Sequence, residues 1–95
     1  SNEPGYYKEN GYGIRIENLI LAIDAGTCDA TGKKMLSFET ITFAPIDIKL
    51  IESSLLSDGE KNWLASYQEK VFSKLEHSLD EPTKDWLRKM CSVSF

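Results

Sequence analysis

From Gly13 to Ile23 the chain reads Gly-Ile-Arg-Ile-Glu-Asn-Leu-Ile-Leu-Ala-Ile, and this run constrains the fold more than any other stretch. A nearly continuous apolar segment is what a strand shows when both of its faces are covered. With side chains alternating, Ile14, Ile16, Ile20 and Ala22 take one face, and Arg15, Glu17, Leu19, Leu21 and Ile23 take the other. Glu17 is the anomaly. An unpaired carboxylate taken out of water is so costly that it is expected to face a cation or to coordinate a metal. Arg15, about 7 Å away along the same face, makes an ion pair the plain reading and metal ligation the sharper one.

A second short segment, Glu3-Pro4-Gly5-Tyr6-Tyr7, precedes this strand. Pro4 pushes Glu3 toward an extended conformation, Gly5 lets the chain bend, and the tyrosines restart a strand. Between the two segments lies Asn10-Gly11, a strong signal for a tight hairpin turn. The two strands are therefore expected to pair antiparallel. Glu3 and Glu17, both distal from the turn, then converge across the pair on one face.

Downstream, residues 25–34 read as a polar loop, and the β-branched and aromatic residues 36–44 as a further strand that Pro45 interrupts. Ile46, Ile48 and Leu50 alternate with Asp47 and Lys49, which predicts another extended segment through Ile51. Ser57-Asp58-Gly59-Glu60 has the form of a capping box and opens a helix over about 58–79. Its apolar stripe is Leu64, Tyr67, Val71, Leu75 and Leu79, flanked by Trp63 and Phe72. Asp80-Glu81-Pro82 starts a second helix over about 82–91, with Trp86, Leu87 and Met90 facing inward. Strands first and helices last make an α+β pattern.

Composition removes several classes of function. A net charge of −4 with 11 basic residues interleaved among 15 acids offers no basic patch for nucleic acid. The longest apolar run, Leu19 to Ile23, is far shorter than the roughly 20 residues of a membrane-spanning helix, so no membrane partner is expected. Cys28 and Cys91 lack metal-ligand spacing and are expected as reduced thiols of a cytoplasmic protein. His77, the one histidine, falls in the helical region far from both glutamates and is expected on the surface.

The segments Glu3-Pro4-Gly5-Tyr6-Tyr7 and Gly13-Ile14-Arg15-Ile16-Glu17-Asn18 resemble the end of the catalytic domain of Xaa-Pro aminopeptidases, pita-bread metallopeptidases of the M24 family. Met35 to Asp47 and the helices beyond Ser57 are similar to the C-terminal extension of the longer aminopeptidase P type, so the resemblance covers nearly the whole chain. It implies antiparallel strands forming the C-terminal part of a pita-bread domain (residues 1–24), followed by an extension (25–95) that ends in two helices. It also implies that Glu3 and Glu17 are two ligands of a dinuclear metal centre, most simply of two Mn²⁺ ions. On the same resemblance Glu17 bridges the metals, Glu3 binds one of them and shuttles a proton, and Arg15 orients a ligand carboxylate. Tyr7 matches a tyrosine near the active site, although a strand tyrosine is equally expected as core.

The family's remaining ligands, two Asp and one His, lie upstream of the Glu-Pro-Gly segment. The chain is accordingly expected to be a C-terminal piece of an enzyme that releases the N-terminal residue from Xaa-Pro peptides, and to be inactive and metal-free by itself. Two alternatives stay open: a non-catalytic interaction or oligomerisation module of the same fold, and a prolidase-type dipeptidase. Strands cut from their sheet expose apolar faces, so dimerisation or strand exchange is also expected.

Overall fold

A computed structural model describes all 95 residues, Ser1 to Phe95. In chain order its elements are β1 (Gly5–Tyr7), β2 (Gly13–Arg15), β3 (Ile20–Thr27), β4 (Lys34–Thr40), α1 (Asp58–Leu75) and α2 (Glu81–Cys91). Single 3₁₀ turns at Ile48–Leu50, Ser53–Leu55 and Glu76–Ser78 fill the gaps between the later elements. The chain divides by packing into two compact units, Ser1–Thr42 and Phe43–Phe95.

The first unit consists of two antiparallel ladders, β1 with β2 and β3 with β4. The β1–β2 turn is a three-residue loop, Glu9-Asn10-Gly11, closed by the Lys8 amide donating to the Tyr12 carbonyl at 2.8 Å. Asn10, rather than the glycine after it, takes the positive φ of 55°, as asparagine can. In the second ladder Ile20 faces Thr40, Ala22 faces Phe38 and Asp24 faces Leu36.

The residue 25–34 loop is shorter than the sequence implied. A bulge between Asp24 and Thr27 carries β3 onward, and β4 begins already at Lys34. Gly26 supplies the positive φ of 81° at that bulge, and its amide donates to the Asp24 carboxylate at 2.8 Å.

The sequence reading also placed Glu17, Leu19, Leu21 and Ile23 on a covered face, and within these residues that is not so. No side chain of the first unit is buried, and Leu36 and Phe38 are each 70% exposed. Two isolated two-stranded ladders have no second layer to bury their faces against.

The second unit has a core. Tyr67, Val71 and Leu87 are buried together, with Phe43, Ile46, Phe72, Leu75, Leu79 and Cys91 packed around them. The helix α1 opens on the expected capping box: the Ser57 hydroxyl accepts from the Glu60 amide at 3.2 Å, and the Ser57 amide donates to the Glu60 carboxylate at 2.8 Å. Asp80 caps α2 by accepting from the Thr83 amide at 2.9 Å. The inward side of α2 is Leu87 with Cys91. Trp86, expected to face inward, is 55% exposed.

Residues 46–51 do not form the extended segment that their alternation suggests. Asp47 accepts from the Lys49 amide and turns the chain into a 3₁₀ turn at Ile48. Just before it, the hydrogen-bonding groups of Ile46 are taken by Gln68, whose side chain accepts from the Ile46 amide at 3.0 Å and donates to its carbonyl at 2.8 Å. The Tyr67 hydroxyl donates to the Ala44 carbonyl at 2.7 Å. An α1 glutamine thus takes the place that a neighbouring strand would fill, and the segment needs no ladder.

Candidate functional site

The candidate site stands on the β1–β2 hairpin. Asn2 and Asn18 exchange both backbone hydrogen bonds, the Asn2 amide donating to Asn18 at 2.8 Å and the Asn18 amide donating back at 3.0 Å. Nearer the turn, Gly5 faces Arg15, Tyr6 faces Ile14 and Tyr7 faces Gly13. Between them the Ile16 amide donates to the Pro4 carbonyl at 3.1 Å, and Pro4, which has no N–H, returns nothing.

The register is continuous, so Glu3 stands directly opposite Glu17. Because Asn2 and Asn18 form a hydrogen-bonded pair, alternation along the ladder makes Glu3 and Glu17 a non-hydrogen-bonded pair. In such pairs the Cα atoms approach to about 4.5 Å and the side chains are closest.

Two carboxylates held this way repel each other unless a cation lies between them. Both glutamates are exposed, and the Ser1 hydroxyl donates to Glu3 Oε2 at 3.1 Å. Arg15 is one step nearer the turn on the same face, beside Glu17 along the strand and diagonal to Glu3. The ion pairs of the chain lie elsewhere, at Glu76–His77, Glu81–Lys84 and Asp85–Arg88. The Arg15–Glu17 ion pair of the sequence reading is therefore absent.

The donor set suits a hard divalent cation, since carboxylate oxygens are its preferred ligands and one carboxylate can span two metals. It supplies only two groups. No cluster of three or more His, Cys, Asp or Glu side chains capable of holding a metal occurs in the chain. Two carboxylates alone fall short of the ligand count of a divalent cation.

The other reactive side chains stand apart from the hairpin face. His77 is exposed, with Nε2 3.2 Å from the Glu76 carboxylate. Both cysteines are free thiols. A hydrogen bond with the Thr31 side chain, helped by backbone bonds at Ala30 and Thr31, holds the Cys28 thiol below its usual pKa, whereas burial pushes Cys91 up. The sequence reading brought Glu3 and Glu17 to one face but missed the asparagine pair that frames them. Asn2 and Asn18 are equally spaced only from the three-residue loop Glu9-Asn10-Gly11, so a two-residue Asn-Gly turn does not point to their pairing.

The hairpin, the second ladder and the helical unit have counterparts among known proteins. The family described as the C-terminal region of peptidase M24 matches residues 34–93. This chain belongs to that family. A probable Xaa-Pro aminopeptidase P of Ajellomyces dermatitidis is 45% identical over 92 residues, covering 94% of this chain and 15% of the relative. Aminopeptidase P2 of Arabidopsis thaliana is 47% identical over 89 residues, covering 92% and 12%.

Among solved structures, the X-prolyl aminopeptidase of Caenorhabditis elegans, described as a cytosolic enzyme with a di-nuclear active site, superposes with a TM-score of 0.81 at 31% identity. The match covers 97% of this chain and 16% of that one. The fold class is thus the α+β arrangement of antiparallel strands and two terminal helices found in that enzyme. The chain spans about 15% of the length of the curated relatives it matches. No helix is long and apolar enough to cross a membrane.

Proposed function

We propose that this chain supplies two carboxylate ligands to the dinuclear metal centre of a cytosolic Xaa-Pro aminopeptidase, most simply a Mn²⁺ enzyme, that releases the N-terminal residue from peptides with proline in second place. The observation that carries the reading is the direct opposition of Glu3 and Glu17 across a non-hydrogen-bonded pair, within segments that resemble those of the Xaa-Pro aminopeptidase family. Like charges side by side cost stability, so the arrangement has a use only where cations are bound between them.

In this reading Glu17 and Glu3 would be the carboxylates that hold the metal ions, Glu3 would also pass a proton to the leaving amine, and Arg15 would fix the orientation of a ligand carboxylate. The bound metal pair supplies activation of water and polarisation of the scissile carbonyl. The remaining ligands come from the rest of the enzyme, so the 95-residue chain alone should not turn over an Xaa-Pro peptide.

The test is Glu17→Gln in the complete enzyme. The amide cannot bridge two cations, so metal content and turnover should fall together, while Arg15→Lys should retain more metal and still slow the reaction. Normal stoichiometry and normal turnover in the Glu17 variant would make Glu17 a structural residue. Turnover by the 95-residue chain with Mn²⁺, surviving repurification, would also defeat the reading.

A further inference from the structure

On the face that carries Glu3 and Glu17, large and small residues oppose each other at the next two steps toward the turn: Gly5 faces Arg15 and Gly13 faces Tyr7. Each strand lays its long side chain across the other strand's glycine. A Cβ at Gly13 would stand 2.9 Å from Tyr7 Cδ1 and 3.2 Å from Cε1, so the phenol ring lies against the bare Cα of Gly13. This is the aromatic cover that edge glycines take in sheets.

Gly5 is tighter still. A Cβ there would stand 2.9 Å from both Arg15 Cγ and the Ile14 carbonyl oxygen, and 3.0 Å from Tyr7 Oη. The stem of Arg15 and the hydroxyl of Tyr7 therefore approach one spot, above Gly5 and one register step from the glutamate pair. Side chains alone cannot relieve the contact, because one of the three neighbours is backbone. Any substitution at Gly5 has to move the strand that carries Arg15 and Glu17.

We infer that Gly5 is a positioning residue for the glutamate pair: its missing side chain leaves the space that Arg15 Cγ, Tyr7 Oη and the Ile14 carbonyl border, and keeping that space open sets where the stem of Arg15 lies on the face of Glu3 and Glu17. Gly13 plays a lesser part by seating the Tyr7 ring. The inference rests on the metal-ligand reading of the two glutamates and adds the residues that hold the arginine to its post. A simple turn or spacer glycine would leave the site indifferent to a methyl group. Here the methyl group lands on Arg15, on Tyr7 and on the backbone between Arg15 and Gly13.

The test compares Gly5→Ala, Gly13→Ala and Gly11→Ala in the complete metal-loaded enzyme, with metal stoichiometry, kcat, KM and thermal midpoint read for each. Gly11 lies in the turn, and a Cβ there meets only the flexible Lys8 side chain, at 3.2 Å. Gly5→Ala should lower metal affinity or kcat by about 10- to 100-fold, the usual cost of displacing a group that orients a ligand, with little change in KM. Gly13→Ala should lose less, and Gly11→Ala almost nothing.

A fall in thermal midpoint for Gly5→Ala, with kcat per folded molecule and metal content unchanged, would overturn the inference and make Gly5 structural only. If Gly5→Ala does not fold, Gly13→Ala decides, and wild-type kcat and metal content in that variant would overturn the inference as well. Glu17→Gln is run beside them. If it too leaves metal and turnover intact, the ligand reading has failed; if it abolishes both while the glycine variants stay normal, only the present inference has.

Discussion

The two units of this chain solve opposite problems. Every buried residue, namely Leu64, Tyr67, Gln68, Val71 and Leu87, belongs to the helical unit, and the strand unit has none. Yet the residues with a chemical role to propose, Glu3, Arg15 and Glu17, all sit in the strand unit. Helices can bury a stripe against each other within some fifty residues, whereas a two-stranded ladder has no second layer and is marginal in water. The geometry of the glutamate pair is thus written into the register of the hairpin, while the burial that would hold the hairpin rigid is not present in these residues.

The comparison breaks most visibly in association. Leu21, Leu36 and Phe38 lie half-exposed or more on the second ladder, and unpaired ladder edges invite further pairing. The chain should dimerise or exchange strands as its concentration rises, and Phe38→Lys should shift sedimentation toward the monomer. A monomer at high micromolar concentration, with strand amides as protected from hydrogen exchange as those of α1, would show that the strand unit is stable by itself.

Within the helical unit the largest single losses should come from the core and its one buried amide. Leu87→Ala should cost about 2–5 kcal/mol by removing buried methyl groups and leaving a cavity. Gln68→Leu should cost about 2–3 kcal/mol, since it strands the Ile46 amide and carbonyl without partners. The Gln68 side chain also donates to the Met90 carbonyl at 3.3 Å, so its loss loosens α2 as well as residues 43–47. Thermal unfolding followed by helical circular dichroism measures both effects. A Gln68→Leu variant as stable as the parent would mean that water or an apolar contact replaces the clamp.

Gln68 also explains where the sequence stopped being readable. The helix starts were legible because a capping box is a local device: Ser57 and Glu60 need only each other. That Glu3 and Glu17 lie on the two strands of one hairpin was legible from the Asn-Gly signal, but their direct opposition was not. A two-residue Asn10-Gly11 turn would set Glu3 against Asn18 and Glu17 against Pro4, on opposite faces, and it is the three-residue loop that aligns the glutamates. The conformation of residues 46–51 was not legible. Their alternation matches a strand, but a side chain 22 positions away binds Ile46, and no local pattern announces that. The Gly13–Ile23 run has the same limit: its apolar faces were legible, and so was their exposure in strands cut from their sheet, but not what covers them.

The smallest expected effects sit at the helix caps and sharpen the contrast between the units. Ser57→Ala should cost about 1 kcal/mol and leave the strand unit untouched. Asp80 adds a pH dependence. Its carboxyl is held below the usual carboxylate range by the Thr83 hydroxyl and by the Thr83 amide, so in the folded chain it stays ionised to lower pH than in the unfolded one. A group with a depressed folded pKa contributes stability that is fully present above its unfolded pKa and is lost as pH falls through the folded value. The helical unit should therefore unfold at progressively lower temperature as the solution is acidified below the ordinary carboxylate range, and Asp80→Asn, which keeps a capping oxygen but cannot titrate, should flatten that dependence. Other carboxylates titrate in the same range, so the measurement is the difference between wild type and Asp80→Asn across pH. Parallel curves would remove Asp80 from the account and leave its cap as a matter of geometry alone.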